Sequence, residues 1–280
     1  MSTPLPPIVL VFAASDPSGG AGIQADLLTL SSMGCHALSV ITAITVQDTA
    51  GVDDVLPIDS EWVTDQARLI LEDMAVSAFK IGLVGSVENV AAIAEIIADY
   101  PDVPVILDPV LASGRGDELS NENLIDAIRE LLIPHTTILT PNSMEARRLA
   151  VDDADEEEAP DLDMCAQRLL DMGAGFVLIT GTHENTPAVT NTLYGSEGVI
   201  SAHEWERLPG SYHGSGCTLA SAIAATLANG LDIDEAVKEA QEYTWQALAA
   251  AFRPGMGQSI PDRFFWAREQ GNEEDQAEEE

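Results

Sequence analysis

Short, nearly unbroken apolar runs alternate along this chain with longer segments in which apolar residues return every three to four positions. Runs of the first kind suit strands covered on both faces, and segments of the second kind suit helices that bury one stripe. The predicted strands are Ile8–Ala14, Ala37–Val46, Ala78–Val84, Val105–Pro109, Thr137–Thr140 and Phe176–Thr180. The predicted helices are Gly22–Met33, Ser60–Met74, Val87–Asp99, Glu122–Leu132, Ser143–Ala150, Leu162–Met172, Cys217–Asn229 and Ile233–Phe252, with Ser60 and Asp232 as N-caps. Strand and helix alternating in this way predict βαβ units: an α/β fold with a mainly parallel central sheet and helices on both faces.

Two charged stretches interrupt the rhythm. Asp152–Asp161 is almost wholly acidic, but the βα alternation resumes at once, so it is read as a solvated loop inside one domain spanning residues 1–268. Residues 269–280 hold too little apolar area to offset chain entropy and are expected to form a disordered acidic tail. Asp and Glu number 47 against 12 Lys and Arg, a formal charge of −35, and no basic residue precedes Arg68. A surface of that sign argues against nucleic acid and against an anionic membrane as partners. It also suggests a salt-adapted source, because such self-repulsion is relieved by screening. The three cysteines, Cys35, Cys165 and Cys217, are far apart and form no C-x-x-C pair, which fits a reducing, cytoplasmic setting better than a disulfide framework or a zinc site. The apolar start, Ile8–Ala14, has no basic residue before it and runs into a glycine-rich turn, so it reads as a first strand and not as a signal peptide.

Candidate chemistry gathers at predicted strand ends and in glycine-rich turns. His213-Gly214-Ser215-Gly216-Cys217-Thr218 precedes an alanine-rich helix. Glycines admit close approach of an anion, and the helix start supplies unpaired N–H groups and a positive dipole end. Such a loop cradles phosphate without lysine; the bland reading is a plain helix-capping turn. Cys217, in the first helical turn, is a candidate proton acceptor if the dipole favours its thiolate, and otherwise a small buried thiol. Asp108 ends one strand, and Asn142 and Glu145 follow another. Their oxygens suit Mg²⁺ with phosphate and water completing its shell, although Asn-x-x-Glu is also the pattern of a capping box.

Near the N-terminus, Ser15-Asp16-Pro17-Ser18-Gly19-Gly20-Ala21-Gly22 joins the first strand to the first helix. It has neither the Gly-Lys-Ser/Thr of a Walker A loop nor dinucleotide glycine spacing, so it reads as a substrate-side loop. Gln47, at the end of the second strand, offers an amide donor and an acceptor that match an aminopyrimidine edge; alternatively it is a surface amide.

These residues, in this order, resemble the hydroxymethylpyrimidine/phosphomethylpyrimidine kinases of the ribokinase-like superfamily. The likeness runs from Ile8 to Trp266 through Ser15–Asp26, Gln47, Lys80-Ile81-Gly82, Asp108-Pro109-Val110, Thr140-Pro141-Asn142 with Glu145, and Gly214–Thr218. It implies a ribokinase-like three-layer fold. It also implies ATP-dependent phosphorylation of 4-amino-5-hydroxymethyl-2-methylpyrimidine and then of its monophosphate, in thiamine biosynthesis, with Mg²⁺ and as a homodimer. On this resemblance Gly214, Ser215, Gly216 and Cys217 surround the reacting oxygen. Gln47, Asp26, Gly20, Leu83 and Val110 form the pyrimidine pocket, Asn142 and Thr180 meet the nucleotide, and Asp108 and Glu145 serve the metal.

Three positions depart from the family pattern. Ser215 stands for a usual Thr, Leu83 for a common Met, and Thr180 for a frequent Lys near the phosphates; Arg115 is the candidate replacement cation. Two other readings are a pyridoxal kinase of the same superfamily and a pyrimidine-binding regulatory module without catalysis.

Overall fold

The computed structural model describes residues 5–112, 119–151 and 160–268. Nine strands form one sheet in the order β3-β2-β1-β4-β5-β6-β7-β8-β9, where β1 is Ile8–Ser15, β2 His36–Gln47, β3 Val52–Pro57, β4 Ala78–Ile81, β5 Val105–Leu107, β6 Ile138–Leu139, β7 Phe176–Thr180, β8 Ala188–Gly195 and β9 Gly198–Glu206. Strands β2, β1, β4, β5, β6 and β7 run parallel, while β3 on one edge and the β8–β9 hairpin on the other pair antiparallel. The helices are α1 (Gly22–Ser32), α2 (Ser60–Asp73), α3 (Val87–Ala98), α4 (Glu122–Ala127), α5 (Ser143–Ala150), α6 (Leu162–Asp171), α7 (Ser215–Ala228) and α8 (Ile233–Ala249).

The strand period of two divides the core between two helical layers. Leu10, Phe12, Phe79, Ile81, Leu107, Leu139, Val177 and Ile179 pack with Val63, Ile93, Leu124, Leu149 and Leu169 of α2 to α6. Their neighbours Val9, Val11, Ala13, Ala78, Ile106, Ile138 and Leu178 pack with Ile23 and Leu30 of α1, Leu219 and Ile223 of α7 and Val237 of α8. This is the three-layer arrangement expected from the sequence. Among the described residues no helix is long and apolar enough to cross a membrane.

The differences from the expected elements have physical reasons. Strands β3, β8 and β9 escape a search for continuous apolar runs: β3 and β9 are edge strands that expose one face, β9 alternating exposed and half-buried positions along most of its length, and β8, AVTNTLYG, between β7 and β9, interleaves polar residues with apolar ones. The central strands end sooner than their apolar runs do. β4 stops at Ile81 and β5 at Leu107, which releases Gly82–Gly85 and Asp108–Leu111 into the turns above the sheet. Asp59, not Ser60, caps α2 by accepting from Glu61 N; Asp232 sits at the start of α8 without a side-chain cap bond. The segment predicted as one helix over Glu122–Leu132 is α-helical only to Ala127 and continues as a π turn over Ile128–Leu132. Most of the acidic loop, Arg115 and the acidic tail lie outside the described residues.

Candidate active site

All the predicted site residues that are described sit above the carboxyl ends of the parallel strands or at the start of α7, the usual ligand edge of an open α/β sheet. They form three groups.

The first group lies beneath the start of α7. Lys80, on central strand β4, is fully buried and meets both oxygens of Asp26 at 2.9 and 3.0 Å. Ser221 of α7 donates to the same carboxylate at 2.7 Å. Asp26 is therefore consumed within the floor: it is 0% exposed, and the expected contact with substrate is not available to it. Its place in the site is to hold Lys80. Lys80 Nζ also lies 3.9 Å from Asp108 Oδ2, an oxygen that has no hydrogen-bond partner. Burial opposes the Lys80 ammonium, but Asp26 and Asp108 outweigh it and keep the group charged. Asp108 is pushed above the ordinary carboxylate value by burial, partly countered by Lys80 and reinforced by Asp26. One cation thus serves two carboxylates.

Gly216 lies beside Asp108, where an added Cβ would be in ordinary contact, 3.8 Å from its Oδ1. Cys217 follows, half-buried, within hydrogen-bond reach of the same carboxylate. Burial pushes the Cys217 thiol up to about 12; Lys80 pulls it down, while Asp108 and Asp26 push it further up. Of the two readings of Cys217, a thiolate and a small buried thiol, desolvation and two anions favour the thiol over what the helix start and one lysine would give.

The second group joins the N-terminal turn to the anion loop. Gly214 caps α7 with φ +80°, and any Cβ there would collide with the Gly20 carbonyl oxygen, so only glycine meets both demands. A side chain at Gly20 would in turn collide with the His213 ring. His213 Nε2 lies 2.8 Å from Asp16 Oδ2 and 3.0 Å from the carboxamide of Gln47. Asp16 also accepts from Ser18 N, Ser18 Oγ and Ala21 N. Burial works to raise the Asp16 carboxyl, but the hydrogen bonds from His213, Ala21 and Ser18 together hold it below its usual value. Gly82, after β4, is buried against Lys80, and Leu83 and Val110 are half-buried on the turns after β4 and β5.

The third group stands over β6 and β7. Asn142 caps α5, accepting from Met144 N and Glu145 N, while Glu145 Oε2 accepts from Asn142 N at 3.0 Å. The capping box is therefore formed. It does not consume Glu145 entirely: the other oxygen accepts from Leu111 N at 3.4 Å, and burial together with nearby Asp108 pushes the carboxyl up to about 8. Thr180 bridges to Asn142 and donates its N–H to Pro141 O, which brings the two expected nucleotide residues side by side.

Sequence reasoning missed the clamp supplied from the far C-terminus. Arg263, 3% exposed, donates from Nη2 to Gly20 O at 2.6 Å and from Nε to Thr218 Oγ1 at 3.1 Å, tying the N-terminal turn to α7. Ser259 O accepts from His213 N, and Gln258 N donates to Thr49 O, so the same segment also holds the anion loop and the turn after Gln47. Lys80 had a legible signal, being one of two lysines and set in an apolar strand; Arg263 had none.

One feature tests the expected metal. Asp108 presents a buried, orphaned oxygen, burial and Asp108 push Glu145 upward, and the nearby cation, Lys80, is already shared with Asp26, so the pair fits an added hard cation. The described residues hold no cluster of three or more His, Cys, Asp or Glu able to cage a metal alone, which suits a cation shared with phosphate oxygens and water.

A sequence profile of the phosphomethylpyrimidine kinase family matches residues 16–262. The hydroxymethylpyrimidine/phosphomethylpyrimidine kinase of Streptomyces coelicolor is 40% identical over 256 residues, covering 90% of this chain and 92% of that protein. Among solved structures, the pyridoxal kinase of Bacillus subtilis in complex with ADP superposes with a TM-score of 0.83 at 29% identity, covering 93% of this chain and 98% of the other. The phosphomethylpyrimidine kinase of Clostridium difficile does so at 0.73 and 35% identity, covering 86% and 99%. With the ordered motifs, the three-layer fold and this breadth of similarity together, the chain belongs to the hydroxymethylpyrimidine/phosphomethylpyrimidine kinase family, phosphotransferases of thiamine biosynthesis.

Proposed function

We propose that this chain uses ATP to phosphorylate the hydroxymethyl group of 4-amino-5-hydroxymethyl-2-methylpyrimidine and then the resulting monophosphate, with the three groups of residues dividing the work. The observation that carries the reading is the convergence of the Gly214–Cys217 helix start on Asp108 above buried Lys80. Backbone N–H groups there suit the transferring phosphoryl oxygens, and a fixed lysine and glycine cradle need no reorganisation during the reaction.

Gln47, with the turns carrying Gly20, Leu83 and Val110, receives the pyrimidine. Asn142 and Thr180, side by side at the ends of β6 and β7, lie toward the nucleotide. Asp108 and Glu145 would hold Mg²⁺, which supplies charge neutralisation between nucleotide phosphates when bound. Cys217 neighbours the reacting hydroxyl as a thiol. A loose phosphoryl transition state asks little of the nucleophile, so a thiol titrating near 12 is compatible with turnover, and positioning carries most of the rate. The exposed side chains Ile44, Val46 and Leu56 on the β2–β3 ribbon and nearby Trp62 support the homodimer, which light scattering would measure.

The test is ATP consumption with Mg²⁺ and with chelator, offering the hydroxymethylpyrimidine, its monophosphate and pyridoxal in turn. Turnover of both pyrimidines that chelator abolishes is expected. Preference for pyridoxal, a reading favoured by the TM-score of 0.83 to a pyridoxal kinase, would move the substrate assignment; binding without turnover would leave a regulatory module.

A further inference from the structure

The contact between Gln47 and His213 decides more than packing. Gln47 sets its carboxamide nitrogen 3.0 Å from His213 Nε2, and the same Nε2 lies 2.8 Å from Asp16 Oδ2. Asp16 is 2% exposed and already accepts N–H or O–H groups from Ser18 and Ala21, the pattern of an ionised carboxylate. A bare lone pair on Nε2 would face that anion at hydrogen-bond distance and be repelled. Every protonation state that satisfies Asp16 therefore carries a hydrogen on Nε2. Two N–H donors cannot bond to each other, whereas a half-turn of the carboxamide replaces its nitrogen by its oxygen with no change of shape.

From this we infer that Asp16 and His213 lock the Gln47 carboxamide with its oxygen turned toward His213, so that Gln47 meets the substrate only as an N–H donor. The inference rests on the reading that Gln47 lines the pyrimidine pocket, and adds what it recognises there. Amide N–H groups turned to the ring select an unprotonated ring nitrogen, while the oxygen, drawn to the Nε2–H that Asp16 also shares, is turned away from the exocyclic amino group. His213 is thus a positioning residue for specificity, acting through Gln47. Gly20 leaves the imidazole the space it needs, and the His213 N–H donated to Ser259 O at 2.8 Å holds the backbone behind it. A free carboxamide would turn either face to a ligand; this one is committed before the ligand arrives.

The experiment compares kcat/KM for the hydroxymethylpyrimidine with that for each of two aminopyridine isosteres in which one ring nitrogen is replaced by C–H. The unmodified chain is expected to lose at least tenfold on one isostere. His213→Leu and Gln47→Leu should both flatten that discrimination, and His213→Gln, whose amide can donate to Asp16 and Gln47 together, should restore it. Loss of discrimination in Gln47→Leu but not in His213→Leu would overturn the lock. Discrimination unchanged in Gln47→Leu would overturn both the lock and the placing of Gln47 against the ring, while phosphorylation itself would stand. Should His213→Leu fail to fold, ¹⁵N chemical shifts of labelled histidine in the unmodified full chain decide: a protonated Nε2 at His213 is expected, and a bare Nε2 would overturn the inference.

Discussion

The turn that joins Asp16, His213 and Gln47 and the pocket around Asp108 and Glu145 lie on the same sheet edge, but they are finished to different degrees. At the first, every oxygen of Asp16 is engaged, a carboxamide and an imidazole face each other, and an arginine clamps the backbone from outside. At the second, Asp108 Oδ2 is buried with no hydrogen-bond partner; burial and Asp26 push Asp108 upward, and burial and Asp108 push Glu145 upward. Satisfied polar groups rigidify and specify; unsatisfied ones hold free energy that an incoming cation and phosphate release. On the proposed division of the site, the pyrimidine side is thus prepared before its ligand binds, and the phosphate side waits to be completed by it.

Substitutions can break this contrast. Lys80→Met should have the largest effect on stability, about 3–5 kcal/mol by denaturant unfolding, because Asp26 would remain buried without its cation. Asp108→Asn should separate stability from activity: ATP turnover falls on the order of 10²–10³-fold, while the melting temperature of the unliganded chain does not fall, since an ill-matched charge is removed. A lower melting temperature with preserved turnover would erase the contrast. Arg263→Lys keeps the charge but loses the fork that reaches Gly20 O and Thr218 Oγ1 together. A rise in pyrimidine KM of roughly tenfold, the scale of one or two charge-assisted hydrogen bonds, is expected with a smaller change in kcat.

A pH series sharpens the electrostatic half of the comparison. Glu145 titrates near 8 in the folded chain and near 4.5 when unfolded, so the folded state binds the proton more tightly. Its contribution is full below about pH 4.5 and is lost as pH rises through 8. Thermal melts of the unliganded chain at pH 5 and pH 8.5 should therefore differ less in Glu145→Gln than in the unmodified protein.

Much of this was legible in the residues alone. Central strands announce themselves because a parallel sheet covered on both faces requires continuous apolar runs, and Gly214-Ser215-Gly216-Cys217 before an alanine-rich helix marks a helix start that admits an anion. The Asn142–Glu145 spacing forms the capping box, while the other Glu145 oxygen accepts from Leu111 N on the turn after β5. Edge strands β3 and β9, and β8 with its interleaved polar residues, were not legible, because none of them carries the continuous apolar run. Asp26 was misplaced for a related reason. Its position in a motif says that it matters, but burial beneath Lys80 and Ser221 is decided by how α1 packs on β4 and α7.

The sequence by itself determined the layered α/β fold, the family and the motifs that line the strand ends, because these follow from local periodicity and from motifs a few residues long. Only the tertiary structure decided which residues meet a ligand and which hold those that do. Asp16 meets His213 across 197 positions and Gly20 meets Arg263 across 243, and such pairings arise from sheet order and the return of the C-terminal segment over the site. Charge state belongs to the same class of fact. Whether Cys217 is a thiolate depends on burial and on carboxylates contributed by α1 and the turn after β5, and no helix-start rule sees them.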